Sequence, residues 1–336
     1  MRNEKLETKH KKHLTLHIFT ALFSITVILI CSLILLMTHK WTDTYQDYDT
    51  NNHNITEFGN TLVSAHRSGG GIFPENTMMA FEGCINSDTF KTDVFEFDLH
   101  ITADEELIIL HDSTLDRTTN AVEHFGQENI RPENYTYEEL RALNFGESFK
   151  TEDGEKPYAG LRGDEIPDSL RVSSLKDVLK YLESNGRFDY IIEIKNGGEL
   201  GKKAADKLYE TLKSMKMLNR VVVGTFNANV TKYLDETYPD LPRSASIIEV
   251  AKLYFNALIG LDKEEGAYKF DALQIPMGAA IIDLATARLV NYAHRHNIAV
   301  QYWTINDAED MQALKDIGAD CVMSDIPDVA YDVLNS

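Results

Sequence analysis

Two histidines, three acids and two bases sit at the ends of short apolar runs in this chain. His66 and Arg67 follow Leu62-Val63-Ser64-Ala65, and Glu96 and Asp98 alternate with Phe95 and Phe97. His111 and Asp112 follow Leu107-Ile108-Ile109-Leu110, and Glu193 and Lys195 close Tyr190-Ile191-Ile192-Glu193-Ile194-Lys195. Histidine titrates near neutrality and can take or give a proton in a phosphoryl transition state. Arginine and lysine supply the charge that non-bridging phosphate oxygens need. Residues two apart on a strand point to the same face, so Glu96 joins Asp98 and Glu193 joins Lys195. If those strands are neighbours, roughly 5 Å apart, three carboxylates crowd together and need a cation. An all-oxygen donor set selects Mg²⁺, Ca²⁺ or Mn²⁺ over zinc. The chemistry such a set serves is the cutting of a phosphodiester. Taken singly, a strand-end histidine is more often structural and an acid pair more often a surface salt bridge. Convergence is what carries the reading.

Convergence requires parallel strands whose C-terminal ends open on one side. Strand candidates are 62–65, 94–99, 107–110, 190–194, 221–226, 244–248, 272–275, 299–303 and 321–324. Helical patterns lie between most of them, at 77–86, 174–184, 201–215, 281–296 and 308–317. Only residues 101–106 separate the second strand from the third, and a parallel crossover needs about a dozen. That pair must be a hairpin, and the eight remaining strands predict a (β/α)8 TIM barrel. The rival is a doubly wound open sheet. Residues 113–189 hold no clear barrel strand and read as an insertion after the hairpin, with helical segments at 137–144 and 175–183. Long loops of this kind usually cover a site. Chain order puts the insertion beside His111, where it is expected to help form the pocket for the alcohol group of a diester.

Ahead of the barrel, residues 14–37 are almost continuously apolar, long enough to span a bilayer as a helix. Arg2, Lys5, Lys9, Lys11 and Lys12 outnumber Glu4 and Glu7 before this run, and Asp43, Asp47 and Asp49 follow it. The positive-inside rule then predicts a cytoplasmic segment over 1–13, one transmembrane helix over 14–37, a polar linker over 38–60 and an extracytoplasmic domain over 61–336. A cleaved signal peptide is disfavoured, because the run is long and no A-x-A site follows Met37. A lipoprotein at Cys31 is disfavoured by Ile30 before it. The formal net charge of -20 argues against nucleic acid as a partner. Cys84 and Cys321 are isolated in apolar surroundings and read as buried thiols, with a single disulfide between them left open.

Several further stretches join these residues: Pro74-Glu75-Asn76-Thr77 with Ala80-Phe81, Thr102, Leu115, Arg117-Thr118-Thr119, Trp303-Thr304 with Asn306, and Gly318-Ala319-Asp320 through Ser324-Asp325 and Pro327. With Ala65-His66-Arg67, Glu96-x-Asp98, His111-Asp112 and Glu193-x-Lys195 they resemble the glycerophosphodiester phosphodiesterases over about residues 62–327. The resemblance implies a metal-dependent (β/α)8 barrel. It implies His66 and His111 as general acid and base, and Glu96, Asp98 and Glu193 as ligands of one divalent cation, Mg²⁺ or Ca²⁺. Arg67 and Lys195 would hold the phosphate of a small-molecule or lipid-derived phosphodiester. A phospholipase D-like action on lysophospholipid or a teichoic-acid-type polymer is the alternative, and a non-catalytic binding module is a third reading. One departure is Ser68, where the family usually has glycine. A positive φ there would strain serine, and a turn shifted onto Gly69 is the expected remedy. Pro74 opens a helix start with Asn76 or Thr77 as N-cap, and Gly69-Gly70-Gly71 is expected to approach a ligand.

Overall fold

The computed structural model describes residues 2–39, 42–264 and 266–336. Met1, Lys40 and Trp41, which fall within the segments expected before the barrel, lie outside the described residues. The strands are β1 (Leu62–Ala65), β2 (Val94–Ile101), β3 (Leu107–Ile109), β4 (Asp189–Ile194), β5 (Val221–Gly224), β6 (Ala272–Ile275), β7 (Gly278–Ala279), β8 (Ile282–Asp283), β9 (Ala299–Tyr302) and β10 (Cys321–Ser324). The helices are α1 (Arg2–Thr38), α2 (Met78–Ile85), α3 (Ala121–Phe125), α4 (Tyr137–Leu140), α5 (Leu175–Asn185), α6 (Gly198–Met215), α7 (Ala228–Thr237), α8 (Ile247–Ile259), α9 (Ala287–Arg295), α10 (Ala308–Asp316) and α11 (Pro327–Leu334).

The main sheet runs in the order β5-β4-β2-β1-β10-β9-β6, with β3 paired to β2. All pairings along this path are parallel, and β3 is antiparallel to β2 as the short 101–106 connection requires. The sheet closes through a stub in place of a full eighth strand. Arg243 bridges Val223 of β5, and Ser244 bridges Ala272 of β6. The strand expected over 244–248 therefore shrinks to its first residue. Ser246 and Glu249 form a capping box that starts α8 at Ile247, and the reciprocal cap outweighs the β-branched Ile247-Ile248 run. The barrel is nonetheless the (β/α)8 TIM type, preceded by one apolar helix.

Alternation along β2 explains both the core and the site. Phe95, Phe97, Leu99 and Ile101 face outward into the layer of α2, α5, α6 and α7, where each buried side chain contributes roughly 1.5–3 kcal/mol. The other face of β2 points into the barrel. Its lowest residue, Val94, packs with Ile191, Cys321 and Met323, and the acids lie above. A second outer core joins β6, β9 and β10 to α8, α9, α10 and α11. Residues after Ser113 build a small core of their own around Leu115, Ile130, Leu140, Phe145 and Val172. Helix α5, inside the expected insertion of 113–189, instead packs Leu175, Val178, Leu179 and Leu182 into the barrel core. Cys84 and Cys321 are free and buried, and burial pushes the Cys84 thiol up to about 12.

The apolar part of α1, His17–Met37, has mean hydropathy 2.7 and is unburied. Its 21 residues reach about 32 Å, the thickness of a bilayer core. The linker has no regular secondary structure, yet it is strapped to the barrel. Arg288 Nε donates to Asp43 at 2.8 Å, and Asn291 holds Thr44 O and Gln46 N at 2.8 Å each. Tyr45 stacks on Phe58 and meets His294, whose Nε2 is 2.8 Å from Asp320. Asn51 and Asn52 both donate to Asn297 Oδ1. Ile55 then packs under Val222, Ala272 and Ala299 at the barrel floor. The strap thus descends the whole of α9, from the mouth-side turn at Arg288 to the floor.

Candidate active site

All seven residues expected at the site line one cavity of about 380 Å³ at the C-terminal end of the barrel. Register accounts for much of this. Asp98 stands directly beside Glu193 across the β2–β4 ladder, with Glu96 one pleat deeper on the same face. His66 follows the end of β1, and His111 follows β3 by two residues.

Each histidine rests on a carboxylate through Nδ1, but the two carboxylates differ. His66 Nδ1 is 2.6 Å from Asp325, and Asp325 is held by Asn306 Nδ2 at 2.8 Å. His111 Nδ1 is 2.8 Å from Asp112, and Asp112 takes a charged donor, Arg117 Nε, at 2.6 Å. Arg117 is itself clamped to Glu75 at 2.7 and 2.8 Å. Burial and Arg117 work against each other on Asp112, and Arg117 with His111 brings it down to about 2. His66 is raised from its ordinary value: burial opposes the charged form, but Glu96 and Asp325 outweigh it. His111 is lowered, mainly by burial, with Lys195 and Arg67 adding to the effect. The two rings are therefore shifted in opposite directions from the ordinary imidazole value.

The acids crowd as their positions imply. Burial, then Asp98, pushes Glu96 up to about 8. Glu193 is also raised by burial, with Lys195 opposing. Lys195 Nζ stands between Asp98 and Glu193, at 3.4 and 3.0 Å. Asn76 Nδ2 donates to Asp98 at 3.2 Å, while its buried Oδ1 has no partner. As these side chains stand, no three acidic, histidine or cysteine groups among the described residues converge closely enough to hold a metal ion. The donor chemistry still fits a hard cation: of three buried or half-buried carboxylates, Asp98 and Glu193 share one lysine, and an amide oxygen beside them is unpartnered.

The loop after β1 departs from the expected shifted turn. Arg67, Ser68 and Gly69 all take positive φ, at 47°, 63° and 83°. Ser68 adopts the left-handed conformation itself, fully buried and with its hydroxyl unpaired. The conformation turns Arg67 N toward Glu96, 2.7 Å away. The triple glycine serves the fold here: Gly71 N donates to Asp325 O at 2.9 Å, and a Cβ at Gly71 would meet that oxygen at 2.8 Å. Thr77 is the N-cap of α2, and Asn76 is freed for the site. Asp325, Asp112, Arg117, Glu75 and Asn306 were visible in the sequence as motif members without roles. What gives them roles is contact across the mouth.

The cavity is two-sided. One wall carries the charged residues. The other is apolar, built from Phe226, Ala245, Ile247, Val250, Ile275, Pro276 and Leu284. No residue of the insertion, 113–189, lines this cavity, although its Arg117 holds Asp112 and Glu75 beside His111. The apolar wall comes instead from the loops after β5, the Arg243–Ser244 stub and β6.

Residues 66–329 match the Glycerophosphoryl diester phosphodiesterase family. The chain is 29% identical to a glycerophosphodiester phosphodiesterase of Caldanaerobacter subterraneus subsp. tengcongensis, covering 82% of this chain and 98% of that one. It is 25% identical to a lysophospholipase D of Mus musculus, covering 81% and 85%. The fold is also that of an Oleispira antarctica phosphodiesterase solved with the product sn-glycerol-3-phosphate, at TM-score 0.58, 20% identity and coverage of 82% and 97%.

Proposed function

The chain belongs to the glycerophosphoryl diester phosphodiesterase family and is a phosphodiesterase hydrolase; from that premise we propose that it cleaves glycerophosphodiesters to an alcohol and glycerol 3-phosphate. The observation that carries the reading is the pair of unequal histidine–aspartate dyads opening on one acid-floored cavity. Neutral His111 takes the proton of the nucleophile, which is water, or the neighbouring glycerol hydroxyl, whose cyclic phosphate water then opens to glycerol 3-phosphate. Protonated His66, kept charged by Asp325, delivers its proton to the departing alkoxide. Arg67 and Lys195 bind the non-bridging oxygens. Glu96, Asp98 and Glu193 would hold one divalent cation, Mg²⁺ or Ca²⁺. When bound it neutralises the carboxylates and raises electrophilicity at phosphorus.

The span His17–Met37 supports a single-pass anchor with residues 1–13 in the cytoplasm and the catalytic domain, 61–336, outside. Protease added to intact cells should then reach the barrel; protection until the membrane is opened would reverse the orientation. A second substrate reading is a single-chain phospholipid, favoured by the apolar cavity wall, with a teichoic-acid-type polymer as its polar counterpart. Product analysis with glycerophosphocholine, lysophosphatidylcholine and polyglycerol phosphate offered in parallel tests both. Choline with glycerol 3-phosphate from the first supports the main reading. Turnover of the lipid or polymer alone would replace it.

A further inference from the structure

Helix α8 is apolar on both faces. Its inner residues Leu253, Ala257 and Leu258 are buried in the core. On its outer face Ile247, Ala251, Phe255 and Ile259 recur every fourth residue and all are exposed, joined at the first turn by Ile248. Ile247 and Ile248 are 67% and 65% exposed. A helix of a soluble barrel carries polar residues on that face. The polar residues that do accompany the stripe are cations: Lys252, Lys263 and Lys269 share one groove with Ile248 and Phe255. They stand out in a chain of net charge -20. Of the nearby acids, Glu249 is engaged by Arg243 and Asp262 by Arg295, while Glu264 stands exposed beside Lys263. An apolar stripe with a lysine flank is the pattern of a helix that lies against lipid headgroups.

Two further observations say where the lipid would be. The stripe runs into the catalytic mouth: Ile247 lines both the groove and the cavity, exposed Phe226 lines the cavity, and Ile281 is exposed in the β7–β8 hairpin whose Ala279 also lines it. The end of α1 lies beside the same elements. Met37 and His39 line one small pocket with Tyr254, Ala257 and Leu258 of α8 and with Arg288, which also holds Asp43 of the strap. We propose that the outer face of α8, with Phe226 and Ile281, docks on the surface of the bilayer that α1 spans. Lys252, Lys263 and Lys269 meet anionic headgroups, and the cavity opens directly onto lipid. The proposal rests on the reading of α1 as a membrane span.

The test uses the full chain in vesicles of phosphatidylcholine and phosphatidylglycerol, with and without bromine on the acyl chains. Tryptophan is introduced by Ile248→Trp on the stripe, and by Ser214→Trp on the exposed far end of α6 as control. Each reading is the difference from the parent, which removes the shared signal of Trp41 and Trp303. Bromolipid is expected to lower the added Ile248→Trp emission about two-fold, as for a side chain at the headgroup–acyl boundary, and to leave Ser214→Trp unchanged. Adding Lys252→Glu, Lys263→Glu and Lys269→Glu should relieve that quenching. Chains that float with the vesicles but show no quenching at Ile248→Trp would overturn the docking alone. Emission that instead shifts with protein density, independent of bromine, would give the face to a second copy and also overturn it. Failure to float would overturn the span and the docking together.

Discussion

His66 donates through Nδ1 to a carboxylate held by a neutral amide: Asp325 is 2.6 Å from the ring and 2.8 Å from Asn306. The carboxylate behind His111 is instead neutralised by Arg117. Glu96 and then Asp325 raise His66 against burial, whereas burial lowers His111 in spite of Asp98 and Asp112. In a bell-shaped profile the acid limb then belongs to His111 losing its proton, and the alkaline limb to His66 losing its own. Asp325→Asn removes a charge that raises His66, so its pKa falls and the alkaline limb of kcat/KM should move to lower pH. The acid limb should stay. An unmoved alkaline limb would take His66 out of the acid role.

Loss of either ring should be severe. His66→Ala and His111→Ala are each expected to lower kcat by roughly two to four orders of magnitude, the usual worth of a positioned acid or base. Circular dichroism must show the fold intact. A variant with near-normal turnover would exclude that histidine from the reaction.

The carboxylate cluster leads to a prediction readable without turnover. Mg²⁺ or Ca²⁺ should raise the melting temperature of chelated protein, because a ligand bound only by the native state stabilises it. Glu193→Gln removes a charged oxygen and should shrink that rise, with activity lost on chelation and restored by the ion. Full activity after exhaustive chelation would sink the cation site.

Ser68 offers a stability test separate from chemistry. Its φ of 63° disfavours any residue with a Cβ, and its buried hydroxyl has no partner. Ser68→Gly should stabilise the protein by about 1 kcal/mol, seen as a rise of roughly 2–4 °C in melting temperature. A destabilised variant would mean that side-chain packing outweighs the backbone strain.

The strands were legible where burial on both faces gave a short apolar run, as at Cys321–Ser324, or where apolar and polar residues alternate, as at Val94–Ile101. Same-face spacing alone places Glu96 with Asp98 and Glu193 with Lys195. Three features escaped that logic. α8 was hidden because it is apolar on both faces, so Ile247-Ile248 looked like strand; only Ser246 and Glu249 marked a helix start. Residues 281–296 carry helical spacing throughout, but α9 begins at Ala287 because Thr286 caps it and a short hairpin at Gly278–Asp283 precedes it. Asp325 meets His66 across 259 positions, a contact that exists only once β1 pairs with β10. Local pattern carries no information about a partner brought in by closure of the sheet.

A free polar chain of some twenty residues would let a tethered domain wander over roughly 25 Å root-mean-square. Here that slack is taken up, because the segment is laid along α9 and tucked under the floor at Ile55. With α1 in a bilayer, as proposed, the barrel would be held on a short leash. A diester far out along an envelope polymer would then have to be carried to the enzyme, while one at the lipid surface would stay within its reach.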